Sequence, residues 1–445
     1  VDGNPAAGIQ GSIVPAASIE FDQREVIEVI TRANVRTYTD FDDILCGVPS
    51  NADLQQLRKA IEGFIRSWEY IISTEVTFTV HGPGAKFTDL NAAFAYLGKY
   101  RITPTGHVIL QLAGAAPGSA QSTQYVYANS IEIAHPNNDR ISIFGAPMLA
   151  PVPRNDTGYA WNGNSTSQRA ADLVTNIAVL RTKFATELHF SGAPPFSGVA
   201  FSAVRIGGVS LRHLDGILFT GDGTATQGGV TFNCSGYMNV WPRTLAGDTG
   251  WAYDGLAAVN FKGYYGGFNW ENGAAMGIGG EALDQNFCSP FIAIGNSYGM
   301  VLRNGGFVTC NGNGICLGND GDGFQLWPRS GTQWDGGLFC NANGGSGIAC
   351  YLCATGYIAA PLNNGAYNIG PSHSYMNGSN GLYLEETNLS INCDFGAGAN
   401  VNGNGTNQIS ARDNTGVLLW GGSANYTPCT PAFGVVGNNN SMIAS

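Results

Sequence analysis

Gly299-Met300-Val301-Leu302, Gly323-Phe324-Gln325-Leu326 and Gly347-Ile348-Ala349-Cys350 repeat one phrase, glycine, apolar, any, apolar, at steps of 24 residues. A second series is interleaved with it. It reads Pro290-Phe291-Ile292-Ala293, Gly314-Ile315-Cys316-Leu317 and Gly337-Leu338-Phe339-Cys340, at steps of 24 and 23. Two series sharing one period predict at least two short strands per repeat, each entered by a turn. So short a repeat cannot bury its own apolar face and must stack on its neighbours, which predicts a solenoid.

Composition agrees. The chain has 445 residues, of which 63 are Gly and only 12% are charged. Gly and Asn, both abundant, accept the positive φ that sharp turns need. The net charge is −11 with no basic run, which argues against nucleic acid as a partner. No apolar stretch reaches the ~18 residues of a membrane span. The start, Val1-Asp2-Gly3-Asn4-Pro5, does not read as a signal peptide, so assembly in a reducing cytosol is expected.

Of the ten cysteines, Cys340 and Cys350 sit at apolar positions of the phrases and read as core filling. Cys316 falls at the variable position, which leaves its burial open. Cys350-Tyr351-Leu352-Cys353 has no second pair at zinc spacing and no nearby His, so no metal site and no cofactor are expected. The six His are scattered through the chain, and Gly221-Asp222-Gly223 lacks the nine-residue period of calcium-binding solenoids.

Three regions are expected. Residues 1–75 are richer in charge, and Pro49-Ser50-Asn51 opens a helix there. Leu54, Leu57, Ile61, Phe64, Trp68 and Ile71 follow at spacings of 3 and 4, the pattern of a heptad seam. Residues 76–430 carry the repeats, with a capping helix near 88–98 over the open end of the stack. A second helix is inserted near 169–184, with Leu173, Ile177, Leu180 and Phe184 on one face. Strands are expected at 76–80, 108–112, 131–133, 141–144, 209–211 and 217–219. After Tyr357 the phrase returns at Gly381 and Gly416, a longer step that predicts larger loops. Residues 431–445 read as a C-terminal tail.

Two stretches bear a resemblance. One runs from Phe87-Thr88-Asp89-Leu90-Asn91-Ala92-Ala93-Phe94 through Tyr100-Arg101-Ile102 to Val108-Ile109-Leu110-Gln111-Leu112. The other is Ile131-Glu132-Ile133-Ala134-His135-Pro136-Asn137-Asn138-Asp139-Arg140-Ile141-Ser142-Ile143-Phe144-Gly145. They resemble the opening of right-handed parallel β-helix proteins of the pectin-lyase-like class, and more closely bacteriophage and prophage tail spike or tail fibre proteins. Leu180–Leu188, Gly221–Thr224 and Pro49–Leu54 resemble phrases of the same proteins, so that the resemblance covers roughly residues 49–320. It implies an all-β right-handed parallel β-helix and a homotrimer on the virion, assembled in the host cytoplasm. It also implies attachment through the N-terminal region to other tail or baseplate proteins. The expected function is adsorption to host-surface polysaccharide, with glycan depolymerase (hydrolase) activity as an extension of it. Three alternatives stay open: a fibre that binds without cutting, a purely structural tail component, and a secreted polysaccharide lyase or hydrolase of the same fold.

Glycan hydrolysis needs two carboxylates, ~5–5.5 Å apart for retention or ~6.5–9.5 Å for inversion. The richest stretch is Asp320-Gly321-Asp322-Gly323-Phe324-Gln325-Leu326-Trp327-Pro328-Arg329, followed by Trp334-Asp335. Asp322 and Asp335 are the candidate catalytic pair, because rungs of a parallel stack lie ~4.8 Å apart. Asp beside Gly is also ordinary turn chemistry. Trp327 and Trp334 are candidate stacking platforms. Trp270 and Glu271, with Asn272, Glu281 and Asp284, form a second candidate patch, and Glu385-Glu386 a third. Tyr264, Tyr265 and Phe268 are rim or core.

Overall fold

The computed structural model describes residues 70–444 except 192–201, 225–227, 241–254, 280–289, 311, 353, 359–373, 392–403, 406, 414, 420–434 and 438–441. Leu54 to Trp68 of the expected seam, Cys353, Glu281 and Asp284 lie outside the described residues. The chain divides into two compact units, residues 1–72 with 99–101 and residues 73–98 with 102–445. In the first, the Arg101 N–H donates to Tyr70 O at 3.0 Å and the Tyr70 and Tyr100 rings meet edge-on at 5.2 Å.

The second unit is mostly β, with two α-helices among the described residues. Its strands pair in parallel and form three ladders. The first runs from Glu75–Val80 through Phe307–Cys310, Gly331–Trp334 and Thr355–Ile358 to Met442–Ala444. The second runs from Thr123–Tyr127 through Leu256–Val259, Phe291–Ile294 and Gly314–Leu317 to Leu338–Asn341. The third runs from Ile131–Ile133 through Phe268–Trp270, Met300–Leu302, Phe324–Leu326 and Ile348–Tyr351 to Val435–Gly437. The long strand Gly228–Asn239 serves two ladders, residues 228–235 pairing in the third and 236–239 in the first. From Leu256 to Asn341 each repeat thus gives one strand to each ladder, an arrangement consistent with an all-β parallel solenoid.

The 24-residue step appears as register. Met300 pairs with Phe324 and Phe324 with Ile348, while Phe307 pairs with Gly331 and Gly331 with Thr355. The second phrase series needs correction by one residue. Gly314 pairs with Phe291 and Leu338, not with Pro290 and Gly337. It is a strand residue without a side chain, because a Cβ there would lie 2.6 Å from Leu338 Cδ1 and 3.0 Å from Trp334 Cζ2. The corrected register puts Cys316 between Ala293 and Cys340, and Cys316, Cys340 and Cys350 are all buried. The phrases at Gly381 and Gly416 belong to different ladders, the third and the first. Beyond residue 430 the stack continues, since Val435–Gly437 and Met442–Ala444 pair in register where a separate tail was expected. The strand expected at 209–211 ends at Val209.

A column of buried asparagines joins the rungs. Asn319 Oδ1 accepts from the Asn296 N–H at 2.9 Å, Asn343 Oδ1 from the Asn319 N–H at 3.1 Å, Asn377 Oδ1 from the Asn343 N–H at 3.0 Å and Asn404 Oδ1 from the Asn377 N–H at 3.1 Å. The Nδ2 of Asn296, Asn319, Asn343 and Asn377 donates along the same column and back to a strand carbonyl of the preceding rung, Asn319 to Ala293 O and Asn343 to Cys316 O. The turn glycines make room for it. A Cβ on Gly323 would lie 2.7 Å from Asn343 Nδ2, and one on Gly347 2.6 Å from Asn377 Nδ2.

The two helices pack at different places on the chain. Helix α1, Leu90–Leu97, is capped by Asp89, whose Oδ1 accepts from the Ala92 N–H at 2.7 Å, and it buries Leu90, Ala93 and Leu97. Helix α2, Thr166–Arg181, is capped by Ser165. Together with residues 148–161 and Phe184 it covers the outer side of the second ladder. Leu180, Phe184, Val152 and Tyr159 form one cluster with the outward residues Leu218, Ala257, Ile292, Ile315 and Phe339, and Leu173 and Ile177 pack against it. Strands buried on both sides read as unbroken apolar runs, which is why Phe291–Ile294 contains no polar residue. The polar side of α2 fastens its own approach loop, with Asp172 accepting from Asn162 and Asn176 from the Ala160 N–H.

Two outcomes follow. Replacing Asn319 by Ala leaves backbone groups of the buried column unpaired, each costing ~1–3 kcal/mol. It should lower the thermal unfolding midpoint clearly, whereas Ala at exposed Asn129 should not. The second concerns Glu187, in the strand Thr186–Phe190, which pairs with Arg181, the last residue of α2. Burial alone would raise its carboxyl, but hydrogen bonds from Arg181, Gln124 and Thr220 overcome this and hold it below the ordinary 4.5. A lowered carboxylate stabilises above its unfolded pKa, and that contribution is lost as pH falls through the folded value. Glu187→Gln should therefore flatten the acid limb of stability below about pH 4.5 in pH-dependent melting.

Candidate functional site

The register position that follows Trp270, Leu302, Leu326, Cys350, Leu384 and Ala411 in the third ladder forms an outward column. Its members are Glu271, Arg303, Trp327, Tyr351, Glu385 and Arg412. Backbone bonds fix it, from Arg303 N–H to Trp270 O and from Trp327 N–H to Leu302 O, both 2.8 Å. Tyr351 pairs with Glu385 and Glu385 with Arg412. The turns leading into these strands add Tyr264, Tyr265, Tyr298 and Asp322.

Arg303 is the centre of this strip. Its guanidinium lies 3.9 Å from the centroid of the Tyr264 ring, 5.4 Å from Tyr265, 5.6 Å from Trp327 and 6.0 Å from Tyr298. Its Nη2 donates to Tyr264 O at 2.6 Å. The rings continue along the stack, with Trp327 5.7 Å from Tyr351 and Tyr351 5.4 Å from Tyr383, and the Arg412 guanidinium lies 5.5 Å from the Tyr383 ring. Tyr264 is exposed, while Tyr265, Tyr298, Trp327, Tyr351 and Tyr383 are half-buried. Several polar atoms beneath them have no protein partner: Arg303 Nε and Nη1, Gln325 Oε1 and Trp327 Nε1. These atoms are buried, so what the strip presents to solvent is the faces of its half-exposed rings, a surface on which the apolar side of a sugar ring stacks.

The sequence candidates separate. Trp327 is in the strip. Trp334 and Trp270 are not platforms, because both are wholly buried in the stack; Trp334 meets Phe324 edge-on at 5.3 Å, and Trp270 stacks on Phe232 at 5.1 Å. Phe268 is core and Tyr264 is rim. Asp322 is buried. Its Oδ1 accepts from the Ser346 N–H at 2.7 Å, and its Oδ2 from Gln325 Nε2 at 2.8 Å and Tyr351 Oη at 3.1 Å. Burial pushes its carboxyl above the usual range, and the three hydrogen bonds offset only part of that rise. Asp335 follows the first-ladder strand of the same rung and accepts from Gln333 at 2.9 Å, so the two belong to different ladders. Glu271 is buried in the strip and is also raised, chiefly by burial, against the lowering effect of Asn269, Arg205 and Arg303. Glu385 accepts from Tyr383 Oη at 3.0 Å, and Glu386 is exposed.

Arg303, Tyr298, Tyr351 and Tyr383 were not singled out in the sequence. The period held the signal, because Arg303, Trp327 and Tyr351 recur at steps of 24. The scattered histidines also conceal an arrangement. Glu75 Oε2 lies 2.9 Å from His107 Nδ1, His107 Nε2 lies 2.8 Å from Ser142 Oγ, and Ser142 Oγ lies 3.0 Å from His213 Nδ1. This is the order of an acyl-transfer triad. Ser142, however, is fully buried within a strand, so the chain of bonds ties the first rungs together. Among the described residues no group of three His, Cys, Asp or Glu is placed to hold a metal ion.

No known protein family, curated protein or solved structure matches the chain.

The raised carboxyl of Asp322 gives a pH signature opposite to that of Glu187. An acid whose pKa is raised in the fold is stabilising only in its protonated form, so stability gained from it rises as pH falls through its folded pKa towards the ordinary 3.8. Asp322→Asn should remove this gain in pH-dependent melting.

Proposed function

We propose that the chain is a right-handed parallel β-helix of a phage tail spike or tail fibre, and that its third-ladder strip adsorbs host-surface polysaccharide. The observation that carries this is the run of rings and guanidinium groups from Tyr264 through Arg303, Trp327, Tyr351 and Tyr383 to Arg412. It follows the stacking axis, so a linear glycan laid along it meets a ring or a polar group on successive rungs. The three-ladder parallel register and the resemblance of residues 49–320 support the fold and the setting. In this reading the N-terminal region joins the chain to other tail or baseplate proteins, the particle carries it as a homotrimer, and assembly takes place in the host cytoplasm.

Adsorption is favoured over cutting. Glu271 and Asp322 belong to rungs two apart, ~10 Å along the axis, beyond the ~6.5–9.5 Å of an inverting pair. Hydrolysis is the second reading, and one observation favours it. Both carboxyls are pushed upward by burial, as a general acid must be to hold its proton near neutral pH.

The test is binding of host capsule or lipopolysaccharide, with released reducing ends measured in the same samples. Trp327→Ala and Tyr264→Ala should each weaken binding about tenfold, with melting curves confirming that each variant is folded. Binding without released ends supports adsorption; ends released by the wild type but not by Glu271→Gln support hydrolysis. If neither glycan binds, a purely structural tail component is the better account. Cleavage that leaves unsaturated ends would indicate a lyase.

A further inference from the structure

The outward face of the first ladder has a different chemistry. One of its columns is Tyr237, Gly277, Thr309, Gln333, Tyr357 and Ser390, and the other is Ala275, Phe307, Gly331, Thr355 and Asn388. None of these eleven positions is charged, in a chain of net charge −11, and Asp335, at the edge of the face, has its Oδ2 engaged by the Gln333 amide at 2.9 Å. Large rings stand exposed on it, with Tyr237 at 49%, Phe307 at 44% and Tyr357 at 36% of full exposure. The inward residues between them, such as Val308, Cys310 and Trp334, are core, so the face is rigidly backed.

Two of the rings pass over a glycine of the next rung. A Cβ on Gly277 would lie 2.8 Å from Tyr237 Cδ2, and one on Gly331 would lie 2.8 Å from Phe307 Cδ2 and 3.1 Å from its Cε2. Each glycine lets the ring lie against the sheet and turn its other side to solvent. Tyr237, Phe307 and Tyr357 stand on every second rung, ~10 Å apart along the axis. Hydroxyl and amide groups of Thr309, Gln333, Thr355 and Ser390 fill the positions between.

The dimensions select the occupant. The strip spans five rung steps, ~24 Å, and its two columns are ~7 Å apart. That falls well short of the ~800 Å² per partner that a stable protein pair buries. A long, narrow ligand fits, and the lack of charge selects an uncharged one. The apolar C–H side of a sugar ring is attracted to the negative face of an aromatic ring, while its hydroxyls suit the polar groups between. We propose that this face is a second glycan track, taking an uncharged polysaccharide along the stacking axis on Tyr237, Phe307 and Tyr357. It is separate from the strip around Arg303 and stands whether or not that strip binds.

The test is affinity electrophoresis of the full chain in native gels containing dextran, mannan or amylose, with melting curves confirming that each variant is folded. At least one of these polymers should retard the wild type. Phe307→Ala and Tyr357→Ala should each weaken the retardation about tenfold. Gly331→Ala, which keeps every ring but lifts that of Phe307, should weaken it as well, and Val174→Ala, at an exposed position of α2, should not. The proposal is overturned if none of the three polymers retards the protein, or if Phe307→Ala and Tyr357→Ala run as the wild type does. A fall in light-scattering mass caused by Phe307→Ala would also overturn it, by making the face a contact between copies.

Discussion

The buried asparagine column from Asn296 to Asn404 is the constraint on which the rest of this stack depends. A parallel ladder satisfies the backbone within strands but not in the turns between ladders. In the turns that lead into the third ladder each asparagine accepts a backbone N–H from the preceding rung and returns its own amide to that rung's carbonyl. Turn geometry is thereby copied from rung to rung, even where the step grows from 24 residues to the 34 between Asn343 and Asn377. The glycines that lead into the third ladder belong to the same device, because a side chain at Gly323 or Gly347 would occupy the amide's place.

With the turns fixed, the three faces have different fates. The second is covered by α2 and its approach loop from Leu218 to Phe339. The first and third remain open, one uncharged and set with separate rings, the other a continuous strip of rings, guanidinium groups and buried carboxyls. Both strips run along the axis because register turns a sequence period into a spatial column. Whatever recognises one member of a column meets the next member one rung further on.

The repeat, the parallel stacking and both helices were legible in the sequence, because glycine-led apolar phrases and helical spacing report local geometry. Register was less legible. Gly314 reads as a turn glycine by analogy with Gly299 and Gly323, yet it is the first residue of a strand that has no room for a side chain. Trp270 and Trp334 read as platforms because they stand beside acidic residues, but strand alternation turns them inward. The asparagines were read as turn formers; their recurrence at 296, 319 and 343 marks the ladder only once the strand ends are aligned. Arg303 was invisible as a site residue because its four ring neighbours come from three turns and strands of different rungs.

The central claim is that the strip around Arg303 and Trp327 meets the glycan. Its most direct test is an experimental structure of the chain bound to an oligosaccharide from the host surface. The account predicts sugar rings along Tyr264, Trp327, Tyr351 and Tyr383. Oligosaccharide density confined to other faces, with this strip bare, would contradict it.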